Sequence, residues 1–244
     1  MRLLLVNPNT SATVTRLIEQ EARLSAHPDT QVTAFTAETG VPYIETETEA
    51  AVGACAVLEI IAREAPQHDA AIIAAFGDPG LLAAKSAVSI PVIGLSEAAF
   101  FMASVAAGTF GIVAISPRMQ GWYRRAIEQQ HMGPRFCGFR FLAPPLDDVA
   151  TVQVDRADDL IALGASLVAQ DGVGTVIYAG APLAGFVRNN AHRIDFPALD
   201  GTAAAVHLAE AVAEMTQRGG RVAPPVRRAG KQTIGLSPAM ARLF

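Results

Sequence analysis

Ile90-Pro91-Val92-Ile93-Gly94-Leu95-Ser96-Glu97-Ala98-Ala99 is echoed further along the chain by Phe196-Pro197-Ala198-Leu199-Asp200-Gly201-Thr202-Ala203-Ala204-Ala205. Each copy reads as a short apolar strand running into an alanine-rich helix. The echo is not isolated. Leu4-Leu5-Val6-Asn7-Pro8-Asn9 is matched by Val113-Ala114-Ile115-Ser116-Pro117-Arg118, and Ala71-Ile72-Ile73-Ala74-Ala75 by Val176-Ile177-Tyr178-Ala179-Gly180. The three matches keep their order at offsets of about 105 to 109 positions, so the chain reads as a duplicated βα unit. The halves are placed at 1–107 and 108–218, with a tail at 219–244 and with terminal segments crossing between halves.

Working outward, short runs rich in Val, Ile and Leu alternate with longer helical stretches. Strands are expected at Arg2–Val6, Gln31–Phe35, Ala70–Ala75, Val92–Gly94, Gly111–Ile115, Phe139–Leu142, Thr175–Ala179 and Ala198–Asp200. Several are apolar at every position, the pattern of parallel strands covered on both faces. Helices are expected at Ser11–Leu24, Glu47–Glu64, Ser96–Ala107, Met119–His131, Arg156–Gln170 and Thr202–Gln217, with Thr10 or Ser11, Ser96 and Thr202 as N-caps. The fold class is therefore α/β: two pseudo-symmetric halves, each a mostly parallel sheet flanked by helices, with a ligand cleft between them. The tail, with Gly220, Pro224, Pro225 and Gly230, reads as irregular. Its apolar end (Ile234, Leu236, Met240, Leu243, Phe244) is expected to dock on the body.

Composition narrows the function classes. Hydrophobic residues make up 51% of the 244 and charged residues 17%, with a mean hydropathy of +0.30. So apolar a chain is expected to bury strands on both faces, and to form a homo-oligomer. A net charge of −4 and a pI near 5.7 give no electrostatic reason for a nucleic-acid or anionic-membrane partner. No apolar run approaches the roughly 18–20 residues of a membrane-spanning helix. The opening strand-like run is too short for a signal peptide. Cys55 and Cys137 show no disulfide or metal spacing, and each reads as a small buried hydrophobe, which together suggest a cytoplasmic protein. His27, His68, His131, His192 and His207 show no paired spacing near the strand-end loops, so no metal site is expected.

In open parallel sheets, ligands bind beyond the carboxyl ends of the strands. Four loops qualify: Asn7–Ser11, Phe76–Gly80, Ser116–Arg118 and Gly180–Gly185. Each feeds a helix N-terminus, whose free N–H groups and positive dipole end attract carboxylate or imide oxygens. A small anionic or amide-rich ligand held by backbone donors, Asn7, Ser11 and Ser116 is expected. Neither a Walker loop nor a GxGxxG is present, so nothing points to a nucleotide.

At these loops the chain resembles the aspartate/glutamate racemase superfamily, and within it the hydantoin/allantoin racemase branch. The resemblance is carried by Val6-Asn7-Pro8-Asn9-Thr10-Ser11, Val41-Pro42-Tyr43-Ile44-Glu45, Ala75-Phe76-Gly77-Asp78-Pro79-Gly80-Leu81, Pro91–Ala99 and the Pro117-Arg118 turn. What it implies is a cofactor-free enzyme in which two thiols face each other across the cleft. One removes a proton next to a carbonyl and the other returns it on the opposite face. By the same resemblance the thiol positions are those of Ala75 and Gly180, and neither a methyl group nor a hydrogen carries a proton. The chain is expected to act on a small carbonyl compound with an acidic carbon (a hydantoin, ureide or amino/dicarboxylic acid) by a thiol-independent route. The alternatives are a lyase or decarboxylase on the same scaffold and a non-catalytic ligand-binding or regulatory paralogue.

Asp78, as general base, and Tyr178, as acid or oxyanion donor, are the candidate catalytic residues. Their structural roles would be turn capping for Asp78 and packing for Tyr178. Substrate contacts are expected from Asn7, Ser11, Phe76, Gly77, Ser116, Arg118, Ala181 and Pro182. Glu45 and Glu97 are read as acids or as residues that orient a loop and start a helix.

Overall fold

A computed structural model describes residues 1–144, 148–220 and 230–244; the Pro224-Pro225 part of the tail lies outside the described residues. In the first half the chain runs β1 (Arg2–Asn7), α1 (Ala12–Ser25), β2 (Gln31–Thr36), α2 (Glu47–Glu64), β3 (Ala70–Ile73), α3 (Leu81–Ala87), β4 (Val92–Gly94) and α4 (Leu95–Ala107). The second half follows with β5 (Phe110–Ala114), α5 (Gln120–Gln129), β6 (Phe136–Phe141), α6 (Val152–Asp155), α7 (Ala157–Asp171), β7 (Thr175–Ala179), α8 (Phe186–Asn189), β8 (Ala198–Asp200) and α9 (Gly201–Gln217). A last turn, α10 (Pro238–Ala241), closes the tail. The strands form two four-stranded sheets in orders β2-β1-β3-β4 and β6-β5-β7-β8. Every pairing is parallel. The duplication in the sequence is thus a duplication of topology.

Four helices escaped the sequence reading: α3, α6, α8 and α10, the longest with seven residues. Two of them start at a left-handed glycine with no side-chain cap, Gly80 at φ +77° and Gly185 also at φ +77°. A capping side chain, the usual signal for a helix start, is therefore missing from both.

Alternation along the strands sorts the core. Leu3, Leu5 and Ile72 face a continuous apolar cluster shared by both halves. Leu4, Val6, Ala71 and Ile73 face a smaller cluster under α2, with Val57, Ile60 and Ile61. The halves are joined by exchanged helices: α4 packs against β5 and β7 of the second sheet, and α9 against β3 and β4 of the first. The two helices also pack on each other, and a Cβ on Gly201 would lie 3.1 Å from the Leu95 carbonyl oxygen.

In the tail, Ser237 caps α10 and bonds both carboxylate oxygens of Glu59 on α2. Leu243 packs on the smaller cluster, but Ile234 is 98% exposed and does not dock. Cys55 and Cys137 are both exposed, on a helix face and on an edge strand, so neither is the buried hydrophobe expected from composition. Among the described residues, no helix is long and apolar enough to cross a membrane.

Candidate active site

The carboxyl ends of β1, β3, β5 and β7 converge on one cavity between the halves, of about 20 Å³. That is room for about one water molecule. Ala75 and Phe76 reach it from the first half, and Gly180 and Ala181 from the second. The two positions assigned to thiols by resemblance therefore line the same space. Neither Cys55 nor Cys137 is among the lining residues. Gly180 holds φ at +117°, a conformation that L residues rarely adopt, while an added Cβ would meet nothing closer than 3.6 Å. Backbone geometry, not crowding, is what favours glycine there.

The remaining wall was only partly legible. Asn9, Tyr43 and Ile44 contribute from the first half, and Met119, Trp122 and Tyr123 from the start of α5. Trp122 and Tyr123 have the spacing of a buried helix face together with Ala126 and Ile127, so periodicity marks them as core. What could have singled them out is their place, one turn beyond the Ser116–Arg118 loop at the end of β5.

Several expected contacts fall elsewhere. Asn7 is fully buried and spends its amide on Asn9 Oδ1 (3.0 Å), Thr15 Oγ1 (2.9 Å) and the Ser11 carbonyl (3.3 Å). It braces the loop, and Asn9 faces the cavity in its place. Asn9 Oδ1 accepts from Asn7 and from the Ser11 N–H, which leaves its own amide N–H groups toward the cavity. Ser11 caps α1 through Val14 N–H, and Ser116 accepts from Arg118 N–H. Arg118 is exposed and pairs with Glu45 at 3.4 Å on the rim. Gly77 and Pro182 stand behind the lining; the Pro182 carbonyl accepts from Gln153. Of the eight expected contacts, Phe76 and Ala181 line the cavity.

Both candidate catalytic residues are turned away from it. Tyr178 is fully buried inside the second sheet, donates to the Leu160 carbonyl at 3.2 Å and packs on Phe186. Asp78 sits at φ +52°, which aims its carboxylate at the N-terminus of α4. There it accepts from Ser96 N–H (2.9 Å), Ser96 Oγ–H (2.5 Å) and Glu97 N–H (2.8 Å). Burial pushes the Asp78 carboxyl up to about 7 against the pull of these hydrogen bonds. It lines a groove of about 200 Å³ that Trp122 separates from the cavity. Glu97 pairs with Lys85 at 2.5 Å and reaches back to Gly94 N–H, the helix-start role.

Among the described residues, the ionisable side chains lining the cavity are thus two phenols. Burial raises both well above the ordinary tyrosine value, helped by Glu45 at each and by Asp78 at Tyr123. Tyr43 donates to the Met119 sulfur at 3.6 Å. At neutral pH the cavity offers O–H and N–H donors between apolar and aromatic walls, with no cationic side chain among the described residues of its lining. Such a site suits a small uncharged carbonyl compound, whose oxygens it can hold as negative charge develops on them. Among the described residues, no group of three His, Cys, Asp or Glu is placed to hold a metal ion.

Comparison with known proteins agrees with this architecture. The model of the Asp/Glu/hydantoin racemase family matches residues 3–209. A hydantoin racemase from Paenarthrobacter aurescens is 30% identical over 216 residues, 87% of this chain and 91% of that protein. The allantoin racemase from Klebsiella pneumoniae superposes with a TM-score of 0.86 at 30% identity, covering 100% of this chain and 98% of that one. Allantoin racemase from Pseudomonas fluorescens, at 23% identity and a TM-score of 0.84, shares the fold. With residues 3–209 matched and the paired sheets and inter-half cavity in place, the chain belongs to the Asp/Glu/hydantoin racemase family.

Proposed function

We propose that the cavity between the halves takes a small ring amide of the hydantoin or ureide type, and that the chain acts on its acidic carbon without cofactor or thiol. The observation that carries this reading is the lining itself. Asn9, Tyr43 and Tyr123 supply neutral polar groups between Phe76, Trp122 and the methyl of Ala75. An amino or dicarboxylic acid would bring one or two carboxylates to a wall with no cation among its described residues, since Arg118 is held by Glu45 on the rim. A ring amide brings planar faces for the aromatic walls and neutral oxygens for the donors. The names of the relatives, hydantoin racemase and allantoin racemase, point to the same class.

Entry of such a ring requires the wall to move, because the space holds about one water. The moving part in this reading is the Met119–Tyr123 segment, held to the first half by the exposed pairs Arg118–Glu45 and Arg125–Glu47.

Trp122 is the single tryptophan of the chain and lines the cavity, so its fluorescence reports occupancy directly. Titration with hydantoin, allantoin and aspartate is expected to change the emission for the first two and not for the third. A response to aspartate alone, or to none of them, would sink the ring-amide reading. The second reading, a binding protein that performs no chemistry, is favoured by the absence of any group ionised at neutral pH among the described lining residues. Proton–deuterium exchange at the acidic carbon, measured beside the titration, separates the two.

A further inference from the structure

Tyr123 combines two properties that rarely coincide in a folded chain. Its side chain is 1% exposed, yet no protein group hydrogen-bonds its hydroxyl among the described residues, and since no enclosed side-chain oxygen or nitrogen there lacks a partner, that oxygen is open to the cavity. A phenol that faces a cavity without a protein partner keeps its O–H free for a molecule bound there. That hydroxyl opens on the cavity and lies 3.6 Å from where a Cβ on Gly180 would stand. It therefore occupies the Gly180 face. Across the cavity the Ala75 face carries only a methyl group.

Resting on the ring-amide reading, we propose that Tyr123 is the proton carrier of this cavity and serves one face only. The C–H bond at the acidic carbon breaks, its proton passes to the Tyr123 phenolate oxygen, and the electron pair moves into the adjacent carbonyl. The resulting enolate oxygen accepts a hydrogen bond from the Asn9 amide. In reverse, the phenol returns a proton, exchanged with solvent, to the same carbon face. With no second carrier at Ala75 the substrate exchanges its hydrogen and keeps its handedness.

The groups facing the phenol are Asp78, Glu45 (paired with Arg118) and the neutral Tyr43. Burial and the two carboxylates keep it in the phenol form through neutral pH. The reactive phenolate is then scarce and grows about tenfold per pH unit, with no plateau between about pH 7 and 10.

The test uses the full chain and the separated enantiomers of 5-methylhydantoin in D₂O, with protein-free controls. Loss of the ring C–H is followed by NMR and inversion by chiral chromatography. One enantiomer is expected to exchange at least about tenfold faster than the control without inverting, while the other stays at the control rate. Tyr123→Phe should return exchange to the control rate while hydantoin still shifts Trp122 emission. Ala75→Cys supplies a carrier on the opposite face and should turn exchange with retention into racemisation. Exchange of both enantiomers by the unchanged chain, inversion without the added cysteine, or exchange that survives Tyr123→Phe would overturn the proposal. Binding without any exchange would overturn it too, leaving the ring-amide reading intact, whereas no binding removes both.

Discussion

Asp78 and Asp200 do the same work from different places in the chain. Asp200 is the N-cap of α9 and accepts from Thr202 and Ala203 N–H itself. At the matching position α4 begins on Gly94, and the carboxylate comes from Asp78 in the loop after β3. Glycine is required there because a Cβ on residue 94 would lie 2.2 Å from the Asp78 carboxyl carbon. Burial pushes Asp78 up to about 7 and Asp200 up to about 6, both from 3.8. Between pH 4 and 7 the folded state thus binds more protons than the unfolded chain. These two groups then make stability fall as pH rises through that window and level off above it. Urea unfolding across the window should show this slope, and Asp78→Asn should flatten its upper part; an unchanged slope would rule out Asp78 as its source. Tyr123→Phe removes an unpartnered hydroxyl and is expected to leave the melting temperature unchanged or raise it. Gly180→Ala, forced to φ +117°, should cost about 1–3 kcal/mol in the same measurement.

At the scale of elements, α5 is the wall that the proposed entry of a ring would displace, and α4 with α9 form the frame that joins the halves. Trp122 lies flat on the loop after β3, so close that a Cβ on Gly77 would stand 2.3 Å from its indole. Gly77→Ala, also strained by φ +96°, is expected to push α5 outward. It should destabilise the fold by about 1–3 kcal/mol and shift Trp122 emission to the red; unaltered emission would mean that α5 is not seated on that loop. The far side of the frame is tied by Arg188 on α8, which grips the buried Glu21 of α1 at 2.8 Å and also bonds Ser25. Arg188→Ala strands a carboxylate that is 4% exposed, but the guanidinium is 45% exposed, which screens the pair. A loss of about 1–2 kcal/mol is expected in denaturant unfolding, less than for a fully buried pair.

Over the whole molecule, the exchange of α4 and α9 makes the duplicated halves one cooperative body. Phe100 of α4 stacks on Phe110 of β5 at 5.3 Å and meets Phe76 edge-on at 5.5 Å, so the core does not stop at residue 107. Trp122 fluorescence and far-ultraviolet dichroism are expected to report one coincident unfolding transition, and residues 1–107 alone should not fold. Two separated transitions would contradict the shared core. The fold was legible because its signals are local and repeated: all-apolar strands, Ser11 at the start of the first helix, and matched loops a constant distance apart. The order of strands and the meeting of four loops at one cavity follow from that repetition. Which side chains face the cavity does not, because the turn of the backbone beyond a strand end, or a positive φ, decides which of several nearby residues points inward. So Asn9 replaces Asn7, Asp78 turns to α4, and Tyr178 points into the second sheet. Tyr123 comes from a helix whose spacing reads only as core, and it meets Gly180 because packing between the halves brings them together. Sequence by itself determined the duplicated α/β scaffold and the absence of a cysteine at Ala75 and Gly180. Tertiary structure alone decided that a phenol stands at one of those faces, since contacts between residues far apart in the chain arise from packing and leave no local pattern.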